Sequence, residues 1–399
     1  MENEEAKNKD TETSRPQAAN TPHVVMADTV KAEEVPTLSI GDLQTINSLR
    51  PEIAIHPVTS TEDISMPAPL VVQPAEYRRS IGEWLQIWRD GLRPAYFTLS
   101  LVPALVGSVL AWRHTVTQQT PLGQFHFLQF FVVVAALILI QSGANLVNDY
   151  YDYLRGVDRS NPFGPGGLIQ QGLIKPIRVL ICGLALLILG AISGLMVAAT
   201  GGLIVYLSGL SGLLCAYFYS ATSRSLSSLA LGELVSFGVF GPLITIGAYL
   251  VQSSGQYAPE ALIYSLPWGF FAAAIIHVNN MRDIEADEHA HKHTLATMLG
   301  LRWSKLLYLL LLAGAYAVII CLGMPQGMPH LLLLPLWTLP GLAVAVSGLL
   351  RAQVMAALHV VMRQTLRLEA NFALLLTIAL VAITLIPVLP AIPLHLLPW

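Results

Sequence analysis

Charged residues are scarce in this sequence, cysteines are few, and no block of basic residues is present. Asp, Glu, Lys and Arg account for 12% of the 399 residues, whereas a typical soluble domain contains about a quarter. The formal net charge is −3, and without a basic cluster we expect no nucleic-acid partner. Cys182, Cys215 and Cys321 lack the close Cys/His spacing of a zinc site. The low charge therefore argues against a soluble domain and for the lipid bilayer as the main environment.

Long apolar blocks predict the fold class. Hydrophobic residues make up 54% of the chain and occur in blocks of roughly 20 residues, the length that a helix needs to cross ~30 Å of hydrocarbon. We predict an all-α integral membrane bundle of nine transmembrane helices. The predicted spans lie at roughly 95–112, 126–148, 177–199, 201–220, 228–252, 260–281, 303–324, 330–350 and 369–390.

The distribution of Lys and Arg predicts the orientation of the bundle. With nine spans, the connections on one side contain almost all of the Lys and Arg residues, and those on the other side contain only Arg113. Because positive loops favour the cytoplasm, we expect a multi-pass cell-membrane protein with its N-terminus inside and Trp399 outside.

The first part of the chain differs in composition from the rest. Residues 1–75 are rich in Glu, Thr, Pro, Ala and Ser and show no sustained hydrophobic period, which predicts a disordered tail. Residues 76–399 then form the membrane domain. Its first stretch, 78–93, mixes Trp, Leu and Ile with cations, as is typical of an amphipathic helix at the bilayer surface.

Two polar segments interrupt the apolar pattern at the predicted cytoplasmic ends of the second and sixth spans. Asp149 and Asp152 are three residues apart, and Asp283 and Asp287 are four apart. On a continuing helix, each pair would lie on one face. Carboxylates at the edge of hydrocarbon are costly unless they are paired, solvated or bound to a cation. Magnesium takes oxygen ligands and is commonly held by one or two carboxylates plus substrate phosphates, so the two pairs predict a site for Mg²⁺ and a diphosphate.

The neighbouring polar residues are assigned supporting roles. We expect Asn145, Asn148 and Asn280 to bind diphosphate oxygens through metal or water, and Asp158 to act as a metal ligand or as the partner of a basic residue. Ionisation of an allylic diphosphate leaves charge on the departing oxygens, which metal ions and cationic side chains stabilise. The loop cations available for this role are Arg282, Lys292, Lys175 and Arg178, and the first three are assigned to the diphosphate site.

Other polar residues admit two interpretations. Glu233 is a carboxylate inside the fifth span, where either a role in a substrate cavity or a structural hydrogen bond is expected. His289, His291 and His293 alternate along a loop, which favours a solvated loop over a zinc site. The aromatic residues near the first motif and at the inner end of the fourth span are either walls for an allylic cation or interfacial anchors: Tyr150, Tyr151, Tyr153, Tyr217, Phe218 and Tyr219.

The motifs resemble those of the UbiA-type membrane prenyltransferases. Members of this family have an NDxxD-type motif after helix two and a DxxxD motif after helix six, here NDYYD at 148–152 and DIEAD at 283–287. Within this family the chain is most similar to 1,4-dihydroxy-2-naphthoate polyprenyltransferases, because of Asp158 six residues after Asp152, Gly-Pro at 164–165, LIQQGLI at 168–174 and KHTLATMLG at 292–300. One position departs from the family pattern: His291 stands where a glycine is usual, and glycine adopts positive φ far more readily.

This resemblance implies a reaction and two substrates. A polyprenyl diphosphate would donate its prenyl group to 1,4-dihydroxy-2-naphthoate, with loss of CO₂ and diphosphate, to form demethylmenaquinol. The residues themselves support diphosphate ionisation but do not identify the acceptor. Homogentisate or a related phenol is an alternative acceptor. An ion-coupled transporter is the alternative from another functional class, but transporters hold their acidic residues near the bilayer midplane, whereas the acidic residues here cluster at one face.

Overall fold

The computed structural model describes residues 79–118, 124–156, 168–222, 225–324 and 330–386. The predicted tail at 1–75, the Gly-Pro pair at 164–165 and Asp158 lie outside these residues. Within them the chain is helical, and the helices are α1 (Ile81–Leu92), α2 (Thr98–Gln118), α3 (Phe127–Arg155), α4 (Pro176–Gly201), α5 (Leu203–Phe218), α6 (Gly232–Gly238), α7 (Ile244–Gln252), α8 (Glu260–Arg282), α9 (Ile284–His289), α10 (Leu295–Gly323), α11 (Leu339–Arg351) and α12 (Met355–Leu385).

The prediction of an all-α membrane bundle is confirmed. In the described part of the chain, eight helical segments are long and apolar enough to cross a membrane, and the apolar helix α5, with 16 residues, is shorter. These nine segments correspond to the nine predicted spans. The last one begins at Met355 rather than at residue 369, because Arg363 and Arg367 lie on the exposed side of the helix instead of in a loop.

The fifth span is one membrane crossing built from two helices. A π-helical segment, Val239–Leu243, joins α6 to α7 and contains Pro242. Proline lacks the backbone N–H that an α-helix would use at this point, so a local change of helix type is expected. Gly241 in this segment lies against Gly269 of α8, where a Cβ atom would come within 2.9 Å of the Gly269 backbone. The missing side chains therefore permit the two helices to approach closely.

The most buried span is α8, which packs against aromatic side chains of α10 and α12. The ring of Phe372 meets those of Phe271, Tyr316 and Trp268 edge to face, at centroid distances of 5.1, 5.2 and 5.8 Å. Such contacts add about 0.5–1.5 kcal/mol per pair beyond the burial of area. This packing holds in place the helix that carries the second acidic motif.

The predicted amphipathic stretch forms α1, which docks beside the first acidic motif. Ser80 and Glu83 form a capping box at its start, an arrangement that satisfies backbone donors at a helix N-terminus. At its end, Gly91 lies against Leu168, and the Asn145 side chain donates a hydrogen bond to the carbonyl of Leu92 over 2.9 Å. The chain between α1 and α2 is thereby held against α3.

Candidate active site

A cavity of about 410 Å³ lies between α3, α4, α5 and the α6–α7 span. Its lining on α3 extends from Val133 to Asp152, a distance of roughly 28 Å at the helical rise of 1.5 Å per residue. One end is polar and the remainder is mainly apolar. The polar end is lined by Asn145, Asn148, Asp152, Asn279, Asn280, Asp283, Asp287 and Lys292. The structure thus gathers residues of both acidic motifs at one end of a long cavity.

In the first motif, the two aspartates lie on α3 as predicted but have different surroundings. Asp152 lines the cavity, accepts a hydrogen bond from Asn148 over 2.6 Å and pairs with Arg155 at 3.2 Å. Asp149 is buried and forms an ion pair with Arg93, which itself lines the cavity. The first motif is therefore paired with a cation, Arg93, that lies 56 residues before Asp149 in the sequence.

In the second motif, the helix does not continue through both aspartates. α8 ends at Arg282, and Asp283 (φ −98°, ψ 8°) separates it from the short helix α9. The Arg282 guanidinium donates two hydrogen bonds to Asp283, each of 2.7 Å, and one of 3.0 Å to the side-chain oxygen of Asn279. This bidentate contact orients the Asp283 carboxylate.

Two of the predicted diphosphate-binding cations lie away from the cavity wall. Lys175 is exposed at the start of α4, and Arg282 is buried against Asp283 and His359; neither is among the lining residues. Asn145 does line the cavity, although its side-chain NH₂ group already donates a hydrogen bond to the carbonyl of Leu92. The direct roles predicted for these three residues remain predictions, and Asp158 lies outside the described residues.

Lys292 and Asp287 form a largely buried charge pair at the polar end. Their Nζ and Oδ1 atoms are 3.3 Å apart, and the side chain of Asp287 is fully buried. Burial raises the pKa of Asp287 to about 6, and the carboxylates of Asp283 and Asp152 act in the same direction against the ammonium of Lys292. Burial would lower the pKa of Lys292, but the surrounding carboxylates, Asp152 foremost, raise it above its usual value. Lys292 is therefore a permanent cation that faces both motifs.

The position of Lys292 depends on the turn that follows α9. The Lys292 N–H donates to the carbonyl of Asp287 over 2.8 Å, and the His291 N–H donates to the carbonyl of Glu288 over 3.1 Å. These are the two bonds of a Schellman motif, whose turn residue takes the left-handed conformation. His291 has φ +53°, so the histidine adopts the left-handed conformation that glycine takes more readily. The turn is thus formed with a histidine at its left-handed position.

Tyr219 supplies an aromatic side chain next to the polar end. It lines the cavity, whereas the other aromatic residues predicted for this role do not, namely Tyr150, Tyr151, Tyr153, Tyr217 and Phe218. Gly232 leaves room for it, since a Cβ atom there would lie 3.1 Å from the Tyr219 hydroxyl. From the sequence, Tyr219 was expected either to line the pocket of an allylic cation or to anchor the helix at the membrane interface, and in the structure it lines the cavity.

The donor set at the polar end fits magnesium. No three His, Cys, Asp or Glu side chains in the described ranges converge closely enough to hold a metal ion by themselves, but magnesium is usually completed by substrate phosphates and water. Asp287 Oδ2 is buried without a hydrogen-bond partner in the described part of the chain. A buried carboxylate oxygen of this kind needs a cation. Asp152, Asp283 and Asp287 are therefore the residues that would hold the ion within the cavity. Asp149, the fourth predicted ligand, pairs with Arg93 and does not line the cavity, so its role as a ligand remains a prediction.

Several residues of the site were not predicted from the sequence. Arg93 belongs to the amphipathic stretch, and only the docking of α1 brings it to Asp149. His277 and Asn279 precede the second motif on α8, and neither was assigned a role. The signal for Asn279 was present in the motif itself, because it precedes Asp283 by one helical turn. For His277, the only signal was a polar residue in an apolar span.

Comparisons with known proteins give a family match and several similar relatives. The model of the UbiA prenyltransferase family matches residues 100–378. The 1,4-dihydroxy-2-naphthoate octaprenyltransferase of Bacillus subtilis (strain 168) is 28% identical over 308 residues, which are 77% of this chain and 95% of that protein. The human UbiA prenyltransferase domain-containing protein 1 is 33% identical over 257 residues, covering 62% and 71% of the two chains.

A solved structure shows the same fold. The apo structure of a UbiA homolog from Aeropyrum pernix K1 matches 74% of this chain and 98% of its own, with a TM-score of 0.51 and 18% sequence identity. The family match at residues 100–378 covers well over half of this chain. The chain belongs to the UbiA prenyltransferase family.

Proposed function

We propose that this protein transfers a polyprenyl group from polyprenyl diphosphate to 1,4-dihydroxy-2-naphthoate, releasing CO₂ and diphosphate and forming demethylmenaquinol. The observation that carries the proposal is the shape of the cavity, which has two acidic motifs and Lys292 at one end and a long apolar remainder. A diphosphate with an isoprenoid tail has the same division between a polar head and an apolar chain. The shape of the cavity and the family of the chain both support prenyl transfer at this site.

The choice of acceptor is supported by sequence similarity. The name of the Bacillus subtilis relative gives 1,4-dihydroxy-2-naphthoate as its acceptor, and the match covers 95% of that protein. The segments LIQQGLI at 168–174 and KHTLATMLG at 292–300 point to the same acceptor. In the structure, the first of these segments forms the turn around Gly172 (φ +66°) that packs beneath α1. Homogentisate or another phenol is the competing acceptor.

In the reaction, the allylic C–O bond breaks and its electron pair leaves with the diphosphate. A carbon of the acceptor ring forms a C–C bond to the allylic carbon, and the acceptor carboxylate leaves as CO₂ while its bonding electrons return to the ring. Lys292 takes part of the charge that develops on the leaving diphosphate, since it stays protonated. Tyr96, Tyr219 and Phe240 line the cavity, and their aromatic rings would stabilise an allylic cation formed there.

Magnesium held by Asp152, Asp283 and Asp287 would act as a Lewis acid toward the leaving oxygens. Asn148 keeps Asp152 in place, and Arg282 keeps Asp283 in place. Asp149, paired with Arg93, completes the proposed acidic set behind the cavity wall. In the proposed orientation, this end of the bundle faces the cytoplasm of the cell and the apolar part of the cavity lies within the lipid bilayer. Clustering of the acidic residues at one end disfavours an ion-coupled transporter.

Prenylation by membranes that contain the protein tests this function. Polyprenyl diphosphate, magnesium and 1,4-dihydroxy-2-naphthoate should give a prenylated naphthoquinol, detected by mass spectrometry. We expect a chelator to abolish the product and Asp283→Ala to reduce turnover at least about 100-fold, because Lewis-acid stabilisation is worth several kcal/mol. Glu285→Ala is the matched control, since Glu285 is an exposed carboxylate in the same motif. Its activity should equal that of the unchanged protein.

Each outcome separates one part of the proposal from the rest. Prenylation of another phenol but not of 1,4-dihydroxy-2-naphthoate would show that the acceptor is wrong and the diphosphate chemistry right. An equal loss in Glu285→Ala and Asp283→Ala would contradict the assigned metal ligand. If a folded protein prenylates none of the aromatic acceptors, the proposed reaction is refuted.

A further inference from the structure

A second polar cluster lies behind the cavity wall, where α6 meets α8. Glu233 of α6 and His277 of α8 are both buried, and Glu233 Oε1 is 2.8 Å from His277 Nδ1. Neither residue lines the cavity. Both connect to it through Asn280, which lines the cavity and whose Nδ2 donates to Glu233 Oε1 over 3.0 Å. The proposed reaction has not used Glu233 or His277.

The hydrogen bonds determine which end of the Asn280 amide faces Glu233. His277 Nε2 is 3.2 Å from the backbone carbonyl of Ser304, which can only accept, so this ring nitrogen carries a proton. His277 Nδ1 and Glu233 Oε1 then share one further proton. Wherever that proton lies, Oε1 retains a lone pair that can accept from the NH₂ group of Asn280. The NH₂ group is thereby held against Glu233.

The opposite end of the Asn280 amide is its carbonyl oxygen. In the described part of the chain, no hydrogen bond to Asn280 Oδ1 is formed, and Asn280 precedes Asp283 by one turn of α8, so both reach the same cavity. A carbonyl oxygen suits a divalent cation, whereas it cannot bind diphosphate oxygens directly, because both are acceptors. An NH₂ group in its place would repel the cation.

We infer that Glu233, held by His277, is a positioning residue that turns the carbonyl oxygen of Asn280 toward the cavity as a ligand for a divalent cation. The inference rests on the proposed function, which places that cation beside Asp283. A carboxyl group within a membrane span is costly, and Glu233 Oε2 has no hydrogen-bond partner in the described ranges. An apolar residue would pack there at lower cost, so simple packing does not explain the pair.

Binding of Mn²⁺ to the purified full-length protein tests the inference without relying on turnover. Free Mn²⁺ is followed by electron paramagnetic resonance in the presence of inorganic diphosphate. In Glu233→Gln, the new amide can donate or accept, so Asn280 is no longer held in one orientation. We expect the Kd for Mn²⁺ to rise about 10- to 100-fold, the usual effect of removing a group that orients a metal ligand. Prenylation by this variant should recover at saturating magnesium.

A double-mutant cycle shows whether Glu233 acts through Asn280. Asn280→Ala alone should weaken Mn²⁺ binding by a similar factor, and adding Glu233→Gln to it should cause no further loss. Glu369→Gln is the matched control, because Glu369 is another fully buried carboxyl residue in a span and does not line the cavity. Its Mn²⁺ affinity should be unchanged. The Asn280→Ala measurement also tests the inference if Glu233→Gln does not fold.

The results separate this inference from the function on which it rests. Normal Mn²⁺ binding by Glu233→Gln or by Asn280→Ala overturns the inference and leaves the proposed function intact. The inference is also overturned if Glu233→Gln weakens Mn²⁺ binding by the same factor in the Asn280→Ala variant as in the unchanged protein. Glu233 would then act independently of Asn280. If the unchanged protein fails to bind Mn²⁺ with diphosphate, the proposed metal site is wrong and the inference falls with it.

Discussion

The charge pair of Lys292 and Asp287 should contribute strongly to stability when no metal is bound. We consider Lys292→Met, which keeps a long apolar stem and removes the ammonium. The variant leaves Asp287, with a fully buried side chain, beside Asp283 and Asp152 without the cation that faces all three. Local repulsion and an uncompensated buried carboxylate then oppose folding.

The magnitude follows from the distance between the charges. At 3.3 Å and an effective dielectric constant of about 20, two unit charges attract by roughly 5 kcal/mol. Desolvation of the ammonium offsets part of this attraction, and breaking a buried pair from one side typically costs about 3–5 kcal/mol. We expect Lys292→Met to lose about 3–5 kcal/mol of unfolding free energy. The double variant Asp287→Asn/Lys292→Met should lose less than the single one.

Equilibrium unfolding in mixed micelles, without divalent cations, measures this effect. Lys175→Met is the control, because Lys175 is exposed and its side chain makes no capping hydrogen bond. It should change the unfolding free energy by less than about 0.5 kcal/mol. A loss below about 1 kcal/mol in Lys292→Met, or no recovery in the double variant, would refute the reasoning.

Three further predictions concern the site and the packing around it. Metal ligands must be deprotonated, and Asp287 has a pKa raised to about 6, so Mn²⁺ affinity should fall as the pH drops below that value and hold steady above it. His291→Gly should raise the unfolding free energy by up to about 1 kcal/mol, because φ +53° is costly for a residue with a side chain. Gly143→Ala should cost about 1–3 kcal/mol, measured by the same unfolding experiment, because its Cβ would lie 2.7 Å from the carbonyl of Gly183.

Each of these has a control. Asp287→Asn should remove the pH dependence of Mn²⁺ binding near pH 6, and an unchanged profile would assign the titration to another group. A loss of stability in His291→Gly would mean that the imidazole makes a stabilising contact. Gly238→Ala serves as the control for Gly143→Ala, since Gly238 is also helical but has open space around it. The alanine should be tolerated there or stabilise the helix by up to about 1 kcal/mol.

The sequence alone predicted the features that depend on local chemistry. The length of each apolar block is dictated by the thickness of the bilayer, so the spans were recognisable one at a time. Asp149 and Asp152 lie at the end of one apolar helix, so their spacing of three residues was enough to predict that they share a face of it. The second motif was predicted less well, because the break at Asp283 depends on the contacts of Arg282 and Asn279 rather than on a helix-breaking residue.

Only the tertiary structure decided which polar residues meet. Of the three cations assigned to the diphosphate site, Lys292 lines the cavity and Lys175 and Arg282 do not. In the sequence, all three lie close to the ends of apolar spans, so their positions alone did not distinguish them. The pairs Arg93–Asp149 and Glu233–His277 join residues 56 and 44 positions apart. The hydrophobic pattern specifies that a helix crosses the membrane and which face is polar. Which helices become neighbours, and hence which buried charges find partners, depends on side-chain packing between distant segments.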